Sequence, residues 1–243
     1  MRIAIVSDIH GNRQALEAVL DQIAAAECDA IWCLGDLVGY GADPDVCVEL
    51  VREHAEICLA GNHDLAVIGA LSIDDFSDAA HQAAEWTRAT ISAETRAFLE
   101  TLEPADETQA VALYHASPRD PVWEYVLSPL QAELGFEVQS RRIAIVGHTH
   151  VALAFHRFEG ADTTGETRHA DETLDLSTGH WLVNPGSVGQ PRDGDARAAW
   201  MELDTEAWTA AYRRVEYDID GAAMAIRGAR LPETLAERLR FGQ

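Results

Sequence analysis

Basic residues are scarce in this chain: 18 stand against 41 acidic ones, a net charge of -23. A field of that sign repels polyanions, which argues against a protein that tracks along DNA or RNA or lies on anionic lipid. Long apolar runs are missing too, and no stretch approaches the length of a membrane span. The amino terminus reads as a strand, Ile3 to Val6, that reaches Asp8 within two residues and leaves no room for a signal peptide. Cysteine is sparse as well. Cys28, Cys33, Cys47 and Cys58 form neither a CxxC pair nor a zinc-ribbon spacing, and their apolar surroundings suit buried, reduced thiols. A protein of the reducing cytoplasm is expected. With 47% apolar residues in a chain of 243, one substantial core can form, and a single domain over 1–243 is expected.

The first sixty residues alternate strand and helix. Ile3 to Val6 is a short apolar run, and Asn12 to Ala26 carries helical spacing through Leu16, Val19, Leu20 and Ile23. Ala30 to Leu34 reads as the second strand, Asp43-Pro44 opens a second helix through Val48 and Val51, and Ile57 to Ala60 reads as the third strand. Such alternation implies parallel βαβ units. Residues 72–103 are then Ala-, Glu- and Asp-rich, and their spacing predicts two helices, over 79–90 and 93–102, either as a helical insert beside the site, the favoured reading, or as the next crossover. Strands are expected at Ala110 to Tyr114, Arg142 to Val146 and Val151 to Phe158, with a short helix at Pro129 to Leu134. The polar, turn-rich stretch 159–180 reads as a hairpin with an exposed loop. Leu182-Val183, Ala196 to Leu203 and Ala207 to Tyr217 read as antiparallel strands, and two short helices close the chain. Parallel units first and hairpins later predict an α/β (α+β sandwich) architecture, two facing mixed β-sheets flanked by α-helices.

The chemistry lies in five short blocks: Asp8-x-His10, Gly35-Asp36, Gly61-Asn62-His63-Asp64, Tyr114-His115 and Gly147-His148-Thr149-His150. Each follows an apolar run, and in α/β sheets ligand sites form outside the carboxyl ends of the strands. Alone, each block has a plain structural reading. Asp8 to Asn12 could be a turn with a helix cap, and Gly35-Asp36 an ordinary strand-ending turn. Three polar residues after a buried strand, as at Asn62 to Asp64, already need partners. Jointly the blocks point to a binuclear metal site, in which a shared carboxylate bridges two cations about 3.5–4 Å apart and neutral imidazoles complete the shells. Asp36 is the natural bridge. Five histidines in the set favour two divalent transition-metal ions, manganese first and iron, zinc, cobalt or nickel after it, over magnesium or calcium.

These five blocks, in this order, resemble the calcineurin-like metallophosphoesterase superfamily across residues 1–200. The resemblance implies the metallophosphoesterase fold and a hydrolase acting on phosphate esters. It implies that Asp8, His10, Asp36 and His150 hold one metal, and that Asn62, His115 and His148 join Asp36 around the other. His63 would face the leaving-group oxygen as general acid or charge stabiliser, with Asp64 orienting it. A metal-bridging hydroxide would attack phosphorus in line.

Two departures narrow the branch. The superfamily's protein Ser/Thr phosphatases carry an arginine shortly after the second block, where this chain reads Leu37-Val38-Gly39-Tyr40-Gly41, and glutamate where it has Asp64. Phosphoprotein hydrolysis is therefore disfavoured. The stretch Asn184 to Arg192 resembles a segment of the small prokaryotic phosphodiesterase branch, and Arg192 and Asn12 are candidate substrate-binding residues. The expected activity is hydrolysis of phosphodiesters or small phosphorylated metabolites. A protein or nucleoside-polyphosphate phosphatase is the alternative. An inactive scaffold would be expected to have lost His63 or several ligands, and a nuclease conflicts with the net charge. The expected partner is a small phosphorylated substrate rather than a membrane or nucleic acid, and homo-oligomer formation stays open. His54, His81, His156, His169 and His180 read as surface or packing residues, and Trp86, Trp123, Trp181, Trp200 and Trp208 as core or interface. Arg13 and Arg119 read as solvated.

Overall fold

Four consecutive apolar residues, Ile3 to Val6, make a stable strand only if both of its faces are covered. In the computed structural model, which describes Met1 to Gln243, both are. Strands β1 (Arg2–Val6), β2 (Ala30–Cys33) and β3 (Ile57–Cys58) alternate with helices α1 (Arg13–Ala26) and α2 (Pro44–His54). Helices α3 (Asn62–Ile68), α4 (Asp78–Thr90) and α5 (Ala93–Leu99) follow. Next come β4 (Ala105–Asp106), β5 (Ala112–Tyr114), α6 (Pro129–Phe136), β6 (Ile143–Ile145) and β7 (Ala152–Arg157). The chain ends with β8 (Thr164–Thr167), β9 (Thr173–Asp175), β10 (His180–Pro185), β11 (Ala198–Asp204), β12 (Thr209–Val215), α7 (Ile219–Gly228) and α8 (Glu233–Arg238).

Two six-stranded sheets result, in the orders β3-β2-β1-β11-β12-β9 and β4-β5-β6-β10-β7-β8. Both are mixed: β1 runs parallel to β2 and antiparallel to β11, while β10 runs parallel to β6 and antiparallel to β7. Alternation along β1 divides the core. Ile3 and Ile5 face the second sheet among Leu113, Ile143, Ile145 and Val183, whereas Ala4 and Val6 face Leu16, Val19 and Ile23 of α1 and Val48 of α2. The outer face of the second sheet is covered by α6 through Ala132 and Phe136. Helix α7 packs on α8 and α1, and Ala83 of α4 joins Ile226, Leu235 and Leu239 in one apolar cluster. Asn12, Ser77, Ser92, Ser128 and Asp218 each cap a helix by accepting a backbone N–H, and Pro44 opens α2. No helix is long and apolar enough to cross a membrane.

Two expectations need correction. The stretch 159–180 is not a hairpin: β8 pairs with β7 in one sheet and β9 with β12 in the other. Leu174 and Leu176 draw the second arm into the core between the sheets, and burial of those side chains outweighs local pairing. Strand β10 is not simply antiparallel, because β6 lies parallel on its other side. Helix α3 begins at Asn62, directly after β3, in a stretch for which the sequence spacing predicts no element.

Replacing Ile3, which is 1% exposed between the sheets, by alanine should lower stability by ~2–5 kcal/mol. Urea unfolding checks this, with the midpoint falling and the m-value unchanged; an unshifted midpoint would contradict the placement of Ile3.

Candidate metal centre

The site collects at the carboxyl ends of β1, β2, β3, β5 and β6, and its backbone is bent to reach it. Ten non-glycine residues have positive φ, and six of them are here: Asp8 (55°), His10 (51°), Asp36 (53°), Tyr40 (57°), His148 (63°) and His150 (60°). Each such conformation costs on the order of 1–3 kcal/mol and persists only where neighbours impose it. Asp8 N–H donates to Gly35 O (3.0 Å), His10 N–H to Asp36 O (2.9 Å) and Gly11 N–H to Leu37 O (2.8 Å), lacing the first two loops together. Gly61 must be glycine, because a Cβ there would strike the Asp36 carboxylate.

All seven candidate ligands come together. Ligand atoms of Asp8, His10, Asp36 and His150 lie within 4.8 Å of one another, as do those of Asp36, His115 and His148, and Asp36 belongs to both groups. Asn62 Oδ1 lies 3.2 Å from His115 Nε2. Every one of these side chains is buried.

The hydrogen bonds test whether cations fit. His10 Nδ1 donates to Val38 O (3.0 Å), His115 Nδ1 to Leu34 O (2.8 Å) and His150 Nδ1 to Gln190 O (2.6 Å). A carbonyl oxygen only accepts, so the proton is on Nδ1 and each Nε2 turns a lone pair inward. His10 Nε2 and His150 Nε2 face each other at 3.0 Å. Carboxylate oxygens lie a little farther off: Asp36 Oδ2 is 3.5 Å from His10 Nε2 and 3.6 Å from His115 Nε2, and Asp8 Oδ1 is 3.4 Å from His150 Nε2. Asp36 Oδ2 is buried without a hydrogen-bond partner. His148 Nε2 donates to Trp123 O (3.2 Å), which leaves its Nδ1 for the centre. Converging lone pairs of this kind repel one another unless positive charge sits among them, so the donor set fits divalent cations.

Titration agrees. Burial, before any neighbour, pushes His10, His148 and His150 well below the ordinary imidazole range, so they are neutral, as ligands must be. Burial likewise raises Asp36 well above the usual carboxylate range, with the Asp64 charge adding to it, and raises Asp8 to about 7.

His63 lies between Tyr40 and Phe76, with ring centroids 4.4 and 4.8 Å away, and burial followed by the Arg192 charge lowers it to about 3. Asp64 does not meet the expectation that it orients His63. Its carboxylate instead accepts the N–H groups of Leu37 (2.9 Å), Val38 (3.2 Å) and Gly61 (2.9 Å), so it holds the Asp36 loop against the start of α3. Asn12 also departs from expectation. It caps α1, and its amide donates to Gly189 O (2.8 Å), so its hydrogen-bonding capacity is spent on packing rather than substrate. Arg192 lines the cavity over the centre, together with Asn62 and His63. Arg13 pairs with Glu17 and Asp43, and Arg119 with Glu124.

That cavity, about 480 Å³, is also lined by Tyr40, Phe76, Trp123, Tyr125 and Arg238. Trp123 is therefore a cavity residue rather than a core one. Tyr40, inside the glycine-flanked second block, could have been suspected from its position; Arg238, on the last helix, had no local signal. The segment Asn184 to Arg192 supports the centre from behind. Ser187 Oγ donates to Asp8 O (2.7 Å), and Val188 and Gly189 N–H donate to Ser7 O and Asp8 O (2.9 Å each).

Two facing mixed sheets carrying a buried site for two cations define a metal-dependent hydrolase. Residues 1–206 match the calcineurin-like phosphoesterase superfamily domain, and the chain belongs to that family of phosphate-ester hydrolases. An uncharacterized protein of Methanocaldococcus jannaschii is 39% identical over 246 residues, covering 99% of this chain and 98% of its own. A metallophosphoesterase of Sphaerobacter thermophilus superposes with a TM-score of 0.91 at 43% identity, over 100% of this chain and 99% of that one. A hypothetical protein of Pyrococcus horikoshii shares the fold, with a TM-score of 0.79 at 20% identity over 100% and 98% of the two chains.

The raised Asp8 gives a pH prediction. Between its ordinary 3.8 and about 7, the metal-free folded chain holds a proton that the unfolded chain releases. Metal-free stability from this group is therefore full below that window and falls as pH rises through it. Cations need the ionised carboxylate, so the gain in melting temperature on adding Mn²⁺ should be large at pH 7.5 and shrink toward pH 5. A gain independent of pH would contradict this.

Proposed function

We propose that the chain is a two-metal phosphoesterase acting on phosphodiesters or small phosphorylated metabolites. The observation that carries the reading is the single buried carboxylate, Asp36, shared by two groups of ligand atoms. Asp8, His10, Asp36 and His150 would hold one cation, and Asp36, Asn62, His115 and His148 the other. When bound, the pair supplies an acidified water as nucleophile and neutralises the phosphoryl oxygens. Histidines predominate among the ligands, which favours transition-metal ions over magnesium or calcium, and manganese, which also suits the carboxylates of Asp8 and Asp36, is the cation we propose. His63 is the catalytic side chain beside the cations, placed to protonate or hydrogen-bond the leaving-group oxygen. Asp64 acts at one remove, by fixing the loop of Asp36. Arg192 binds substrate.

The absence of an arginine between Leu37 and Gly41, where Tyr40 stands instead, supports a non-protein substrate. The four free cysteines support a reducing cytoplasm as its location. We read 1–243 as one domain and 72–103 as a helical insert that contributes one wall of the cavity, a reading supported by Phe76 there.

Manganese-loaded protein should bind two equivalents of metal and hydrolyse bis-p-nitrophenyl phosphate faster than p-nitrophenyl phosphate. Turnover of neither would defeat the proposal. His63→Ala should keep both metals and lose roughly 10²–10⁴-fold in turnover; a normal rate would exclude its role.

A further inference from the structure

All 18 basic residues of the chain are arginines, and many of them end on a carboxylate, as Arg2 does on Glu202, Arg157 on Glu133 and Arg214 on Asp193. Two that do not lie side by side over the metal centre. Arg192 Nη2 donates to Gln190 Oε1 (3.0 Å) and Arg238 Nη1 donates to the same oxygen (3.2 Å). Arg192 also reaches Tyr40 Oη (3.4 Å) and lies over the Tyr40 ring, 5.8 Å from its centroid. Neither guanidinium forms an ion pair, and the Arg192 Nε is buried without a partner. Burial, and then repulsion from Arg192, lowers the proton affinity of Arg238. Two half-buried like charges sharing one neutral acceptor, in a chain of net charge -23, form a site with unspent donors and unbalanced charge. That combination calls for an anion, and the planar forks suit a phosphate.

Much of the remaining cavity lining is aromatic. Phe76 and Trp123 meet edge to face at 5.7 Å, and Tyr125 stacks on His148 at 4.1 Å. Aromatic faces of this kind seat a planar ring. The one carboxylate on the rim, Asp75, is exposed and belongs to the Phe76 segment. The volume of about 480 Å³ is far more than a phosphate group needs and falls in the range of small-molecule sites. Arg238 lies on α8, beyond the family match that ends at residue 206, so this feature is additional to the shared metal centre.

We propose that Arg192 and Arg238 form a subsite for a second phosphate, one linkage from the phosphorus over the metals, and that Phe76, Trp123 and Tyr125 seat a base. The substrate class is then a nucleoside polyphosphate. The inference rests on the two-metal reading above and narrows its substrate.

The test measures binding to manganese-loaded protein by calorimetry, with the uncleavable α,β-methylene-ADP, AMP and methylenediphosphonate as probes. α,β-Methylene-ADP should bind about tenfold or more tightly than AMP, because charge-assisted bonds to the second phosphate are lost with AMP. It should also bind about tenfold more tightly than methylenediphosphonate, which lacks a ring to stack. Arg238→Gln should remove most of the first advantage, Trp123→Leu should reduce the second, and Arg238→Lys should restore part of the first. Losses from Arg192→Gln and Arg238→Gln should be non-additive, since both would grip one group. Equal binding of α,β-methylene-ADP and AMP, or an Arg238→Gln loss of equal size on both, would overturn the phosphate subsite. Equal binding of the analogue and methylenediphosphonate would overturn the ring seat. Turnover of bis-p-nitrophenyl phosphate by the same preparation separates the two failures: its absence counts against the hydrolase reading, whereas its presence with no preference among the probes counts against this proposal alone.

Discussion

The arrangement depends on lone pairs forced to converge. Backbone carbonyls of Val38, Leu34 and Gln190 take the Nδ1 protons of His10, His115 and His150, which leaves each ring one direction in which to offer its other nitrogen. That direction is toward Asp8 and Asp36, whose carboxylates are buried as well. No arginine pairs directly with either carboxylate, and the Arg192 charge offsets their burial only in part. Much of the remaining architecture can be understood as a means of holding mutually repelling groups in place: left-handed turns at the strand ends, Asp64 bonded to three amide groups, and Ser187 fastening the Asp8 loop from below.

The two sheets share this work unequally. The first brings Asp8, His10 and Asp36 on loops after its parallel strands, and Asn62 and His63 at the start of α3. The second brings His115, His148 and His150. Neither sheet alone assembles either group of ligands, because each group includes Asp36 from one sheet and at least one histidine from the other. Packing of Ile3 and Ile5 against Ile143, Ile145 and Val183 therefore does more than stabilise the fold. It sets the gap across which the site is built.

The centre was legible from sequence because metal ligation restricts side-chain chemistry and the strand-end rule restricts position; together they single out residues such as Asp36 and His148 without coordinates. Residues that act through packing were not. Asn12 has the chemistry of a substrate ligand, yet its capacity is used up by Ala15 and Gly189, and only three-dimensional neighbours reveal that. Asp64 follows His63 directly, but the opening turn of α3 points it at backbone amides instead. Trp123 looked like a core residue because tryptophan usually is one, and its place on a cavity wall depends on how the proline-rich stretch 118–129 folds. The crossing of 159–180 between sheets likewise depends on Leu176 finding a core that its own neighbours do not form.

The walls and the floor of the cavity come from different parts of the chain. Phe76 precedes α4, Trp123 and Tyr125 sit in the connection before α6, and Arg238 ends α8, and none of these segments supplies a candidate metal ligand. Phe76 and Arg238 can therefore change without displacing a metal ligand, whereas Tyr125, stacked on His148, and Trp123, whose carbonyl accepts from that ring, are tied to the centre. Through Phe76 and Arg238, bond breaking and substrate choice become separately heritable, so descendants of one ancestral hydrolase can change what they cleave while keeping how they cleave it.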